Sequence, residues 1–230
     1  MSYIWGKNSV NEAIKAKRVN ELLISDKTYI SIAKKERLRY TLVTKKELDK
    51  IADGNHQGIV AEVFEYETYD LEDIIRDHDG LIVMLDGLED PRNLGAMIRT
   101  ADCAAVDGII YRKDRSVHVT PTVAKVASGA LEYVKIVEVT NLVETVKRLK
   151  ERGYWIVGTD GSAEIDYTSL DYDMNTVIII GSEGKGISRL LLKECDYVVK
   201  MPLLGHVNSL NASVACGIML YEVLEKRSNR

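Results

Sequence analysis

The chain has 230 residues and carries 31 Lys and Arg against 35 Asp and Glu, a net charge of −4, with 46% hydrophobic and 29% charged residues. This length can bury a core without covalent staples, and a mean hydropathy of −0.12 with this balance of residues excludes both a disordered chain and a membrane protein. Cys103, Cys195 and Cys216 are odd in number and far apart, so no disulfide framework or paired-cysteine metal site can be drawn, which fits a reducing, cytoplasmic setting. Apolar runs such as 177–180 fall far short of the roughly 20 residues of a spanning helix, and the N-terminus MSYIWGKNSV lacks an apolar signal core.

Charge is unevenly placed. Residues 1–50 hold 12 Lys and Arg against 6 Asp and Glu, so the front of the chain is basic while the remainder is acidic. A basic front end points to a polyanionic partner; a solvated Lys-rich face is the plainer alternative. In chain order, the hydrophobic pattern predicts a strand over 22–25, a helix over 29–39, a strand over 40–43, a helix over 45–52 and a strand over 58–64. These make a small N-terminal α/β/α unit, residues 1–66. An acid-rich run follows, with Arg76 its only Lys or Arg, and is expected to be a linker, 67–76, kept off a polyanion by its own charge.

From Leu81 strands and helices alternate: strand 81–86, helix 93–105, strand 108–111, helix 122–128, strand 133–137, helix 142–152, strands 154–160 and 176–181, helix 187–193, strand 197–201 and a last helix 209–225. The pattern predicts a mainly parallel α/β domain, residues 77–230, with helices on both sheet faces. Such sheets bind ligands beyond the carboxyl ends of their strands.

Three loops there have unusual composition. Asp86–Arg99 joins a strand end to a helix start; Asn93 is a candidate cap, and Arg99 lies less than two turns further on. Arg99 is either functional or a surface ion-pair partner of Asp102 or Glu89. The second loop, 181–188, is glycine-rich. It fails the Walker pattern, because Lys185 is followed by Gly186, and it fails the dinucleotide fingerprint, because Arg189 stands at the third glycine. Glycines still let backbone approach a ligand, while Glu183 favours a cationic or polar ligand over polyphosphate. The third loop, 201–211, ends in a small-residue helix for which Ser209 or Asn208 is a candidate cap. His206 has no second His or Cys at ligand spacing, so no metal is expected.

Together the three loops resemble the motifs of the TrmH (SpoU) family of RNA 2′-O-ribose methyltransferases, in the SPOUT superfamily, over roughly residues 81–226. Asn93, Gly95 and Arg99 match the first motif. Gly181, Glu183, Gly184 and Gly186 match the second. Pro202, Ser209, Leu210, Asn211 and Ser213 match the third, with Ala212 where the family often has valine. The segments 4–10 and 55–61 resemble the small RNA substrate-binding domain of the bacterial, RlmB-like, 23S rRNA guanosine-2′-O-methyltransferase branch.

The resemblance implies a deep trefoil knot, S-adenosylmethionine as cofactor, an RNA substrate and a homodimer. It also implies cofactor contacts from Thr159, Gly161, Gly181, Met201 and Leu210 and a catalytic group of Arg99, Asn93, Glu183, Ser209 and Asn211. In this group Arg99 grips a phosphate and lowers the proton affinity of the 2′-hydroxyl, Asn93, Ser209 and Asn211 align the nucleotide, and Glu183 orients Arg99 or a polar neighbour. Two alternatives stand beside it: a tRNA 2′-O-methyltransferase, and a non-catalytic RNA-binding ribosome assembly factor.

Overall fold

The alternating residues at the front of the chain form β1 (Ser2–Trp5), and Gly6, at φ +89°, turns the backbone into α1 (Lys7–Lys15). The chain continues through β2 (Val19–Ile24), α2 (Ile30–Lys35), β3 (Arg39–Leu42), α3 (Lys45–Ile51) and β4 (Ile59–Val63). This is a computed structural model, and it describes residues 2–64, 66–114 and 116–229. The four strands form one sheet in the order β1-β4-β2-β3, antiparallel except for the β2/β3 pair. A capping box starts α3: the Glu47 amide donates to Thr44 Oγ1 at 3.3 Å and the Thr44 amide to Glu47 Oε2 at 2.6 Å. Trp5, Leu48, Ala52 and Val60 pack together on one side of this sheet. The sequence pattern had given neither β1 nor α1, since four residues before a glycine are too few to show a period. The helix expected over 29–39 is shorter, because Arg37 takes a left-handed φ of +55° and ends it.

After a single 3-10 turn, Leu71–Ile74, the chain forms β5 (Leu81–Asp86), α4 (Pro91–Cys103), β6 (Gly108–Arg112), α5 (Pro121–Ala127), β7 (Lys135–Val139), α6 (Leu142–Glu151), β8 (Trp155–Thr159), β9 (Ile165–Asp166), β10 (Thr176–Gly181), α7 (Arg189–Leu192), β11 (Tyr197–Lys200) and α8 (Ala212–Ser228). Seven of these strands make a parallel sheet in the order β7-β6-β5-β10-β8-β11-β9. The central strands LIVMLD and TVIIIG are apolar without alternation because both faces are covered. One face is filled by Leu142, Val146 and Leu149 of α6 and Leu191 of α7 against Ile82, Met84, Ile156, Val177 and Ile179. On β10 α8 packs as well, and α8 and α4 pack on each other.

Two features depart from the expected organisation. Leu71 and Ile74, in the segment expected to be a linker, are buried in the core of the parallel-sheet unit. The compact units are Met1–Glu67 with Val119–Tyr133, and Thr68–His118 with Val134–Arg230, so α5 leaves the parallel sheet and packs on β1 and α1. There Ser9 donates to the Ala124 carbonyl at 3.2 Å, and Arg18 pairs with Glu132 at 2.7 Å. No helix among the described residues is long and apolar enough to cross a membrane.

Candidate active site

The three unusual loops all leave the carboxyl ends of parallel strands: β5, β10 and β11. Two of the caps that fix them differ from expectation. The helix α4 is capped by Asp90, which accepts from the Arg92 amide at 2.7 Å with Pro91 in the first turn. Asn93 therefore sits inside the helix, 6% exposed, with its side chain free for another use. Neither Ser209 nor Asn208 caps α8; Asn211 does, its Oδ1 accepting from the amides of Ser213 at 2.9 Å and Val214 at 3.3 Å. A side-chain cap of this kind contributes about 1 kcal/mol.

The second loop is fixed by backbone contact. A Cβ on Gly181 would stand 2.1 Å from the Gly186 carbonyl carbon and 2.3 Å from the Ile187 nitrogen, so only glycine lets the loop close upon itself. The closure is a bridge in which the Gly186 amide donates to the Ser182 carbonyl at 2.9 Å, and Gly184 and Gly186 supply the positive φ of the turn. From the neighbouring strand Asp86, almost fully buried, accepts from the Ser188 amide at 2.7 Å and ties the far end of the loop to β5.

These constraints bring residues from all three loops together. Asn93 Nδ2 donates to Glu183 Oε1 at 2.6 Å, and Asn211 Nδ2 donates to the same oxygen at 3.0 Å and to Asn93 Oδ1 at 3.0 Å. One carboxylate oxygen is thus held by two amides, a charge-assisted arrangement stronger than neutral pairs. Beside this cluster lies a cavity of about 390 Å³, within the range of small-molecule sites. Thr159, Gly161, Gly181, Met201 and Leu210, the five expected cofactor contacts, all line it, as do Glu183 and Ser209.

Arg99 is placed differently. Six residues beyond Asn93 on a helix is a rotation that leaves it about 120° away around the axis, and it emerges exposed, outside the cavity lining. Among the described residues it makes no ion pair, so the alternatives Asp102 and Glu89 do not hold it.

The sequence reading missed Asp160, which lines the cavity and accepts from the Ser162 amide at 2.8 Å and hydroxyl at 2.6 Å; these bonds hold its carboxyl below the usual range. Its Asp-Gly-Ser turn pattern was the available signal. Asp86 was likewise visible only as a strand end. Among the described residues no group of three His, Cys, Asp or Glu is arranged to hold a metal ion.

Comparison with known proteins gives this geometry a context. Residues 80–221 match the model of the SpoU rRNA Methylase family, and residues 3–69 match that of the RNA 2′-O ribose methyltransferase substrate binding domain. A TrmH family relative from Staphylococcus aureus (strain COL) is 45% identical over 223 residues, covering 95% of this chain and 87% of its own. The relative YacO from Bacillus subtilis (strain 168) is 43% identical over 239 residues, covering 98% and 96%. Among solved structures, the SpoU methyltransferase AviRb from Streptomyces viridochromogenes in complex with AdoMet superposes with a TM-score of 0.85 at 25% identity, covering 98% of this chain and 90% of that one. An AdoMet-bound rRNA methyltransferase from Sinorhizobium meliloti gives 0.85 at 25% identity, covering 97% and 87%. With a matched catalytic region longer than half its length and a matched substrate-binding region ahead of it, the chain belongs to the SpoU rRNA methylase family of RNA methyltransferases.

Proposed function

We propose that this protein transfers the methyl group of S-adenosylmethionine to a ribose 2′-oxygen of RNA, its substrate a guanosine of 23S rRNA, and that it acts as a cytoplasmic homodimer. The observation that carries the reading is the convergence of Asn93, Glu183 and Asn211 beside a cavity at the strand carboxyl ends.

The cavity suits the cofactor bound by the structural neighbours. Its wall mixes glycine backbone with the apolar side chains of Val199, Met201 and Leu210, and it places the carboxylates of Asp160 and Glu183 where positive charge is welcome. A Cβ on Gly161 would meet nothing within 4 Å, so the lip at that residue is open. Thr159, Gly161, Gly181, Met201 and Leu210 are assigned to hold the cofactor. S-Adenosylmethionine supplies an electrophilic methyl on a positively charged sulfur.

The chain's own residues must then bring the ribose hydroxyl into line and favour loss of its proton. Ser209 presents a hydroxyl at the cavity wall for the nucleotide. Asn93 and Asn211 hold Glu183 through Oε1, which leaves its second oxygen to orient a polar partner. Arg99 grips the phosphate flanking the target ribose with its planar fork and lowers the proton affinity of the 2′-hydroxyl; a guanidinium, which holds its proton too firmly to give it up, is a poor base itself.

The exposed position of Arg99, off the cavity of its own chain, supports a site completed by a second copy. So do Leu204 and Val207 in the third loop, 99% and 73% exposed, and Val214 and Tyr221 on α8, about half exposed. The family's trefoil knot belongs to the same proposal, supported by a strand order that takes the chain from β8 out to the edge strand β9, in to β10 between β5 and β8, and out again to β11 between β8 and β9. The intact Asn93–Glu183–Asn211 cluster weighs against a non-catalytic assembly factor.

Mass spectrometry of rRNA and tRNA fragments from cells lacking this protein tests the substrate. Loss of one 2′-O-methylguanosine from 23S rRNA is the expected result. Loss from tRNA instead would move the substrate and keep the chemistry, and an unchanged RNA methylation profile would contradict both.

A further inference from the structure

The bases of the first unit cluster along the chain on both sides of its edge strand β3. Strand β3 pairs with β2 on one side and is open on the other. Lys34 and Lys35 end α2, Arg37 and Arg39 lead into β3, and α3 brings Lys45, Lys46 and Lys50; all seven are exposed. Three acids share the stretch and each is engaged. Glu36 lies 3.9 Å from Lys35, Glu47 closes the capping box with Thr44, and Asp49 lies 3.1 Å from His56. Among the described residues the other six bases form no ion pair. Elsewhere in this unit Arg18 is paired with Glu132 and Lys15 with Glu12, both at 2.7 Å, and the exposed Lys7, Lys17 and Lys27 are scattered over the chain rather than grouped along one strand.

An edge strand needs only a charge or two to block sheet-to-sheet association, and seven bases exceed that need. Lys45 and Lys46 also stand in the first turn of α3, where the positive end of the helix dipole disfavours a cation. Beyond Glu47 of the capping box, the helix itself gains nothing from these two lysines. Between the two groups of charge Leu42 is 56% exposed, an apolar contact in a polar surround.

We propose that the α2–β3–α3 edge is the surface on which this unit docks the sugar-phosphate backbone of its RNA. The inference rests on the RNA methyltransferase reading above and adds to it the face that holds the polyanion.

The full-length double variant Lys45→Glu/Lys46→Glu tests it, with deproteinised bacterial 23S rRNA as the probe. A control, Lys147→Glu/Lys193→Glu, makes the same charge change at exposed lysines of the parallel-sheet unit. Affinity is measured from about 50 to 300 mM salt, beside a melting curve for each protein. The expected result is at least a tenfold loss of affinity for the edge variant alone, with a log–log salt slope shallower by about 1.4–1.8, two phosphate contacts' worth. Its melting temperature should hold or rise, because the new acids suit the helix end, so the loss cannot be unfolding. If wild type binds the RNA and the edge variant keeps its affinity and slope, or the control loses as much, the edge is not the docking surface. If wild type itself shows no salt-dependent RNA binding, the RNA reading fails, and this proposal with it.

Discussion

Asn211 serves two elements with one side chain: its oxygen caps α8, and its amide nitrogen donates to Glu183 and Asn93. The two duties separate by substitution. Asn211→Ser keeps a capping oxygen but loses the amide that donates to Glu183 and Asn93, so methyl transfer should collapse while the melting temperature stays closer to wild type than that of Asn211→Ala, which also loses the cap, worth about 1 kcal/mol. Equal melting temperatures for the two variants would contradict the capping role. Arg99 separates in the same way. Exposed and without an ion-pair partner among the described residues, it contributes little to stability. Arg99→Ala and Arg99→Lys should melt like wild type and bind S-adenosylmethionine as tightly in calorimetry, yet both should lose about 10²-fold or more in single-turnover methylation, lysine restoring charge but not the planar fork. Near-normal turnover in the folded alanine variant would remove Arg99 from the mechanism. Asn93 shows where reading by residue type stops: an Asn at a helix start suggests a cap, but Asp90 and Pro91 had already taken that position.

At the scale of elements, β5 and β10 were legible because their unbroken apolar runs, 81–85 and 177–180, are long enough to recognise and short enough to be strands. The two-residue β9 carries no such signal. Each motif loop was legible alone, but their meeting was not. Asn93 and Glu183 are 90 positions apart, and only the insertion of β10 beside β5 joins them. The helix α5 was found but misplaced, since its pattern of Val123, Ala124 and Ala127 announces an apolar face without saying what covers it. That face lies on the first unit. Deleting residues 1–66 should therefore uncover it, and the truncated chain should bind a hydrophobic dye and melt lower than the intact protein. A shorter chain lacking both 1–66 and 119–133, with β6 and β7 rejoined by a flexible loop, should recover a sharp transition. A truncation at residue 66 that melts as well as the full chain would show that α5 gains nothing from its contacts with β1 and α1.

For the whole molecule, burial of titratable groups sets the behaviour in alkali. The Cys216 thiol is pushed up to about 12 and the Cys195 thiol to about 11, both chiefly by burial, and burial raises Tyr66 and Tyr172 as well. The folded chain keeps these protons where the unfolded chain releases them. Stability should thus be full below about pH 9, the usual thiol value, and fall as pH rises toward 12; a melting temperature flat across pH 8–11 would contradict the burial of these groups. The change from a basic front to an acidic remainder was visible in composition, whereas the crossing of residues 119–133 between the units was not, because no local pattern encodes which sheet a helix covers. The central claim is chemical, and one measurement addresses it directly. Full-length protein is incubated with methyl-labelled S-adenosylmethionine and unmodified 23S rRNA transcript, and the RNA is digested to nucleosides and resolved by mass spectrometry. The account predicts label in 2′-O-methylguanosine, absent from the Arg99→Ala reaction; label on a base, or none with a protein that binds both cofactor and RNA, would contradict it.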